Sequence, residues 1–129
     1  MRAKVVDASA LGAVIFGEPE GTSIVRRLAG NRLVAPELIF FEVASICLKK
    51  LRRYPESRKS ILQAFGLTKR LVMDTVEVEY QEVVVLAEKF ELTAYDASYL
   101  WLARVLGVEL VTLDKELEKV WRDEEQQTS

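Results

Sequence analysis

The stretch AKVVDASALGAVIF, residues 3–16, sets a β-branched run, an acid and an apolar helical pattern end to end. AKVV reads as a short strand, and DASALGAVIF reads as a turn into a helix. Asp7 therefore stands where a strand gives way to a helix. The same alternation continues along the chain. GEPEG (17–21) reads as a loop, and Thr22 or Ser23 as the cap of a helix reaching about Leu28. LVA (33–35) is a second strand, and Pro36 suits the first turn of the long helix LIFFEVASICLKKLRRY (38–54). Pro55 stops that helix, and another runs to about Leu67. LVMDTV (71–76) is a strand, EYQEVVVLAEKFE (79–91) a helix, and TAYDASYLWLARVLG (93–107) a helix ended by Gly107. VELVTL (108–113) is the last strand, DKELEKVW (114–121) the last helix, and RDEEQQTS (122–129) a frayed polar tail.

Strands alternating with helices imply right-handed βαβ crossovers and a parallel sheet covered on both faces. Short apolar strands agree with burial on both sides. The expected fold is α/β, with a central parallel sheet of four short strands, five at most. It forms a single domain over residues 1–121, with 122–129 as a polar C-terminal tail. In such sheets ligands gather beyond the carboxyl ends of the strands. Asp7 follows the first strand and Asp114 the last, so both fall at that end.

Composition narrows the chemistry. The chain has 129 residues, half of them hydrophobic, which suits one domain with one core. Its single cysteine, Cys47, forms no internal disulfide, in keeping with a reducing cytoplasm. There is no histidine, which excludes His-based general-base catalysis, His-zinc sites and Ser-His-Asp triads. One asparagine and four glutamines stand against 18 basic and 20 acidic residues, a bias towards thermophilic composition. Asp7 breaks what would otherwise resemble a signal-peptide core. No run approaches the roughly 20 apolar residues that span a bilayer. There is also no P-loop and no G-x-G-x-x-G.

Four acids stand out. Glu42 interrupts LIFFEVASICL, one of the most apolar segments. Asp96 shares a helical face with Tyr99, Leu100 and Ala103, whereas Ser98 and Arg104 mark the polar stripe. Each acid has a local explanation: a turn residue at Asp7, a solvated stripe of Glu42, Ser45, Lys49 and Arg52, a Thr93-x-x-Asp96 capping box, and a helix cap at Asp114. Together they form an oxygen-only set. A buried unpaired carboxylate costs several kcal/mol, and a shared divalent cation of the Mg²⁺ or Mn²⁺ type would relieve it.

VVDASAL with Asp7, FEVAS with Glu42, TAYDASYLWLA with Asp96 and LVTLD with Asp114 resemble, in order and spacing, the four acidic motifs of PIN-domain nucleases. The resemblance covers nearly the whole chain, and its length and helical hairpin are similar to VapC-type toxin ribonucleases. Ser45 departs from the Asn common three residues after the Glu, and Trp101 from a common small residue. The resemblance implies a three-layer α/β/α fold and metal-dependent hydrolysis of RNA phosphodiester bonds. Asp7, Glu42, Asp96 and Asp114 would be the catalytic metal ligands, to Mg²⁺ or Mn²⁺, with Thr112 and Ser9 in supporting roles. It further implies a homodimer and a small antitoxin protein that inserts a segment near the site. Trp101, placed on the polar stripe, fits self-association.

Charge adds an RNA-binding expectation. Residues 48–70 carry eight basic groups and one acid, a local +7, while the rest of the chain carries −9. Lys49, Arg52 and Arg53 of this hairpin would hold phosphates, which position RNA without specifying its sequence. Two other readings compete. A non-catalytic PIN-like module would bind an antitoxin with a vestigial site. A receiver-type signalling domain would need an acidic pair after the first strand, where Asp7 stands alone.

Overall fold

The computed structural model describes residues 2–128. β1 (Ala3–Val6) leads into α1 (Ala8–Ile15), then α2 (Gly21–Leu28), β2 (Arg32–Pro36) and α3 (Ile39–Arg53). A 3₁₀ turn over Pro55–Ser57 precedes α4 (Arg58–Gly66), and a second follows over Leu67–Arg70. β3 (Met73–Val76), α5 (Tyr80–Phe90), α6 (Ala94–Leu106), β4 (Leu110–Val111) and α7 (Lys115–Thr128) complete the order.

The four strands form one parallel sheet in the order β3-β2-β1-β4. Successive strand residues point to opposite faces. Val5 and Val6 are both fully buried, so β1 is covered on both sides. This is the α/β architecture expected, with a parallel sheet flanked by helices. On it rests one main core that joins Leu11, Ile24, Ile39, Val43, Tyr99, Leu100 and Leu117 from five helices.

Local chemistry sets the element ends. Asp7 caps α1 by accepting from Ala10 N at 3.0 Å, which contributes about 1 kcal/mol. Gly107 ends α6 at φ +66°, a left-handed conformation that glycine adopts without strain. Gly21 opens α2 where a Cβ would lie 2.7 Å from the Ala13 carbonyl oxygen, so the α1–α2 corner needs a residue without one.

Several boundaries differ from the sequence reading. Pro36 is the last residue of β2 instead of opening α3, because its register against Val76 keeps it in the sheet. Neither Thr22 nor Ser23 caps α2, which starts at Gly21; the Ser23 hydroxyl donates back to the Glu20 carbonyl. β4 shrinks to two residues, since only Leu110 and Val111 find partners, on β1. The last helix continues through Thr128, so most of the stretch expected to fray is helical, with Arg122 paired to Glu118 one turn back. Ser98 is buried and not on a solvated stripe: its hydroxyl donates to the Tyr95 carbonyl at 2.6 Å, which satisfies it inside the packing. Trp101 is half-buried against α5, its indole N–H donating to Glu82 at 2.9 Å. No helix among the described residues is long and apolar enough to cross a membrane.

Candidate active site

At the carboxyl end of the sheet, β1 and β4 deliver two acids side by side. Asp7 N donates to Val111 O at 3.1 Å, continuing the β1–β4 ladder one residue past the strand. The Asp7 carboxylate is then gripped from both sides. Its Oδ1 accepts from Ser9 Oγ at 2.7 Å and from Ala10 N, and its Oδ2 accepts from the Thr112 hydroxyl. Both hydroxyls also accept from the backbone beyond β4: Ser9 Oγ from Leu113 N and Thr112 Oγ1 from Asp114 N, each at 3.0 Å. Ser9 and Thr112 thus relay two β4-end N–H groups to one buried carboxylate. Asp114 spends Oδ1 on capping α7, accepting from Glu116 N and Leu117 N at 2.9 and 3.1 Å.

The other two acids come from helix first turns. Glu42 stands one turn into α3, half-buried, and its Oε1 accepts from the Tyr99 hydroxyl at 2.6 Å. Asp96 stands in the first turn of α6, where its backbone N–H donates to the Thr93 capping hydroxyl at 3.0 Å. The capping geometry predicted at Thr93 is therefore present, and it leaves the Asp96 carboxylate pointing into the same hollow as the other three.

Asp7, Glu42, Asp96 and Asp114 line one open cavity of about 460 Å³, together with Ser9, Ser45, Lys49, Phe41, Tyr95 and Tyr99. Among the described residues none of the four acids forms an ion pair with Lys or Arg, and no three acidic side chains gather into a ready-made metal cluster. The electrostatics couple them nonetheless. Burial raises the Asp7 carboxyl above the usual carboxylate range, against the pull of the Thr112, Ala10 and Ser9 hydrogen bonds, and Asp114 adds repulsion. Glu42 is raised by burial, and by Asp96 and Asp7, with Tyr99 opposing. Asp96 is raised by burial, then by Asp114 and Asp7. Repulsion among like charges in one hollow thus adds to burial in raising Asp7, Glu42 and Asp96.

The basic residues divide. Lys49 reaches the cavity wall, one α3 stripe beyond Glu42 and Ser45. Arg52 and Arg53 are exposed and do not line it; Arg53 stands over the Tyr54 ring at 5.5 Å, beside a separate hollow. Lys50 is engaged by Glu18 at 2.6 Å. Tyr99 is a site residue that the sequence pattern assigns to the apolar face alone. Its position three residues after Asp96 is the signal that places its hydroxyl near the acids.

An acidic hollow at the carboxyl end of a short parallel sheet, built from two strand ends and two helix starts, marks an α/β protein of the acidic-site class. The PIN domain family model matches residues 4–122, and the chain belongs to that family. It is 30% identical over 118 residues to Ribonuclease VapC3 of Pyrobaculum aerophilum, covering 88% of this chain and 90% of that one. It is 35% identical over 118 residues to Ribonuclease VapC9 of Mycobacterium tuberculosis, covering 88% and 87%. Among solved structures, PAE2754 from Pyrobaculum aerophilum superposes with a TM-score of 0.62 at 26% identity, over 90% of this chain and 84% of that one.

Proposed function

We propose that this chain is a divalent-metal-dependent endoribonuclease that hydrolyses RNA phosphodiester bonds, and the toxin of a toxin–antitoxin pair. The observation that carries the reading is the convergence of Asp7, Glu42, Asp96 and Asp114 on one cavity without a basic partner among the described residues. The donor set fits a small, hard cation: all four are carboxylates, and three are raised by burial and by one another. Mg²⁺ or Mn²⁺ held by these acids supplies water activation and neutralises charge developing on the phosphate. Relatives that bear the name ribonuclease over nearly their full length support the reaction class.

The chain's own groups have separable tasks. Ser9 and Thr112 fix the orientation of Asp7. Tyr99 fixes Glu42, and the α7 cap fixes Asp114. Lys49, at the cavity wall, meets a phosphate of the bound strand, and Arg52 and Arg53 extend the basic track along the hairpin. The same reading takes the chain to work in the cytoplasm as a homodimer, held in check by a cognate antitoxin.

Cleavage of an unstructured RNA with Mg²⁺, with Mn²⁺ and with EDTA tests this. Activity in both metals and none in EDTA is expected. Full activity in EDTA overturns the metal site. No activity under any of these conditions favours the non-catalytic module.

A further inference from the structure

Two exposed rings stand in the lining of the cavity beside its acids. Phe41, on α3, is 83% exposed, and Tyr95, on α6, is 61% exposed. Each directly precedes an acid of the site, Glu42 and Asp96, on the two helices that Tyr99 and Glu42 tie together. Both rings line the carboxylate cavity itself. Packing gives no reason for either. The buried side of α3 is filled by Ile39, Val43 and Cys47, and that of α6 by Ala97, Tyr99, Leu100 and Leu102. A phenyl ring left this far in water, beside acids, lacks the burial that normally holds phenylalanine in a fold.

We propose that Phe41 and Tyr95 are stacking platforms for bases on either side of the phosphate addressed by the four acids. The proposal rests on the ribonuclease reading and deepens it. A base offers a flat π-face whatever its identity, and an exposed ring receives it without sequence preference. A duplex does not present those faces, because its bases stack on one another and its edges lie in the grooves. Charge favours a nucleic acid over an apolar protein segment as occupant. Lys49 shares the cavity wall with Phe41, and the hairpin from 48 to 70 carries a net +7 leading away from it. Phosphates on the basic track and bases on the rings match the two chemistries of one strand.

The test uses the full chain and a short unstructured oligoribonucleotide. Cleavage is followed with Mn²⁺, and binding is followed by fluorescence anisotropy in EDTA. Phe41→Ala is expected to raise KM and weaken binding about tenfold, within the range for one base stack removed, while kcat changes less than threefold. Tyr95→Phe keeps the ring and is expected to match the wild type; Tyr95→Ala is expected to lose affinity as Phe41→Ala does. Replacing one nucleotide at a time by an abasic residue should reveal a position where the wild type loses that affinity and Phe41→Ala loses no more. An unchanged KM and affinity in Phe41→Ala overturns the proposal. So does an abasic penalty that persists in full in the variant, or a variant that keeps its RNA affinity but changes oligomeric state, which would assign the ring to a protein interface. If the wild type binds the oligonucleotide through Phe41 yet never cleaves it, the stacking site stands and the ribonuclease reading falls. If it neither binds nor cleaves RNA with Mn²⁺ present, both fall.

Discussion

The Tyr99 hydroxyl donates to Glu42 Oε1 at 2.6 Å and so joins α6 to α3 beneath the acidic cavity. The ring is 1% exposed, and burial with the surrounding carboxylates pushes the phenol far above its ordinary range. Tyr99 therefore acts as a donor only, and it orients Glu42 for the cavity. Tyr99→Phe keeps the buried ring and deletes this bond. Glu42 is half-exposed, so the expected stability loss is modest, about 1 kcal/mol. Cleavage should fall roughly tenfold, a loss of about 1.4 kcal/mol in the barrier. The Mn²⁺ concentration for half-maximal activity should rise. A metal titration identical to wild type would show that Glu42 needs no such support.

Asp96→Asn keeps the side chain's size and the Thr93 cap, because that cap is taken by the Asp96 backbone N–H. It removes one charge from the acidic set. Cleavage is expected to drop at least about a hundredfold, in the range set by losing one group from a catalytic site. Without metal the variant should melt at the same temperature or higher, since Asp96 is repelled by Asp114 and Asp7. Added Mn²⁺ should raise its melting temperature less than that of the wild type, because stabilisation by a ligand follows its affinity. Equal metal shifts in both proteins would reduce Asp96 to a helix-start residue.

Asp7 gives a pH signature. Its folded carboxyl is raised, so between the ordinary carboxylate range and that raised value the folded chain holds a proton that the unfolded chain has lost. The contribution to stability is complete at low pH and is lost as pH rises through the folded value. Metal-free wild type should therefore lose stability relative to Asp7→Asn as pH climbs towards neutrality. Mn²⁺ should diminish that loss, because it competes with the proton. A difference between the two proteins that does not vary with pH would contradict the buried, coupled position of Asp7.

Lys49→Ala combined with Arg52→Ala separates a phosphate track from a solvated face. RNA binding should weaken, and its log–log salt dependence should flatten by about 0.7 for each phosphate of the single strand that is no longer neutralised. Lys49 lines the cavity and Arg52 does not, so Lys49→Ala alone should account for most of the loss in cleavage. An unchanged affinity and salt slope in the folded double variant would make these residues ordinary surface charge.

The parts of the site legible in the sequence are those fixed by local grammar. An acid directly after a β-branched run lands at a strand end, and Asp7 and Asp114 do. An acid inside LIFFEVASICL, or on the face of Tyr99 and Leu100, stands out against its surroundings, and Glu42 and Asp96 reach the cavity. What stays hidden depends on contacts between distant segments. Tyr99 meets Glu42 across 57 positions, and Thr112 meets Asp7 across 105. Ser98 misleads because a hydroxyl can satisfy itself on its own helix and then be buried like an alanine. β4 is shorter than its sequence suggests because VELVTL has strand character throughout, whereas pairing with β1 ends at Val111. The polar composition of RDEEQQT conceals a helix that its Glu118–Arg122 pair helps to continue.

The hydroxyl relay between the ends of β1 and β4 makes the cavity a late product of chain growth. Thr112, Leu113 and Asp114, which complete the surroundings of Asp7, are synthesised more than a hundred positions after it. A ribosome that has reached residue 100 holds three of the four acids and the whole basic hairpin, but neither β4 nor the fourth acid. Until β4 docks, the growing polypeptide carries its acids without the frame that aligns them.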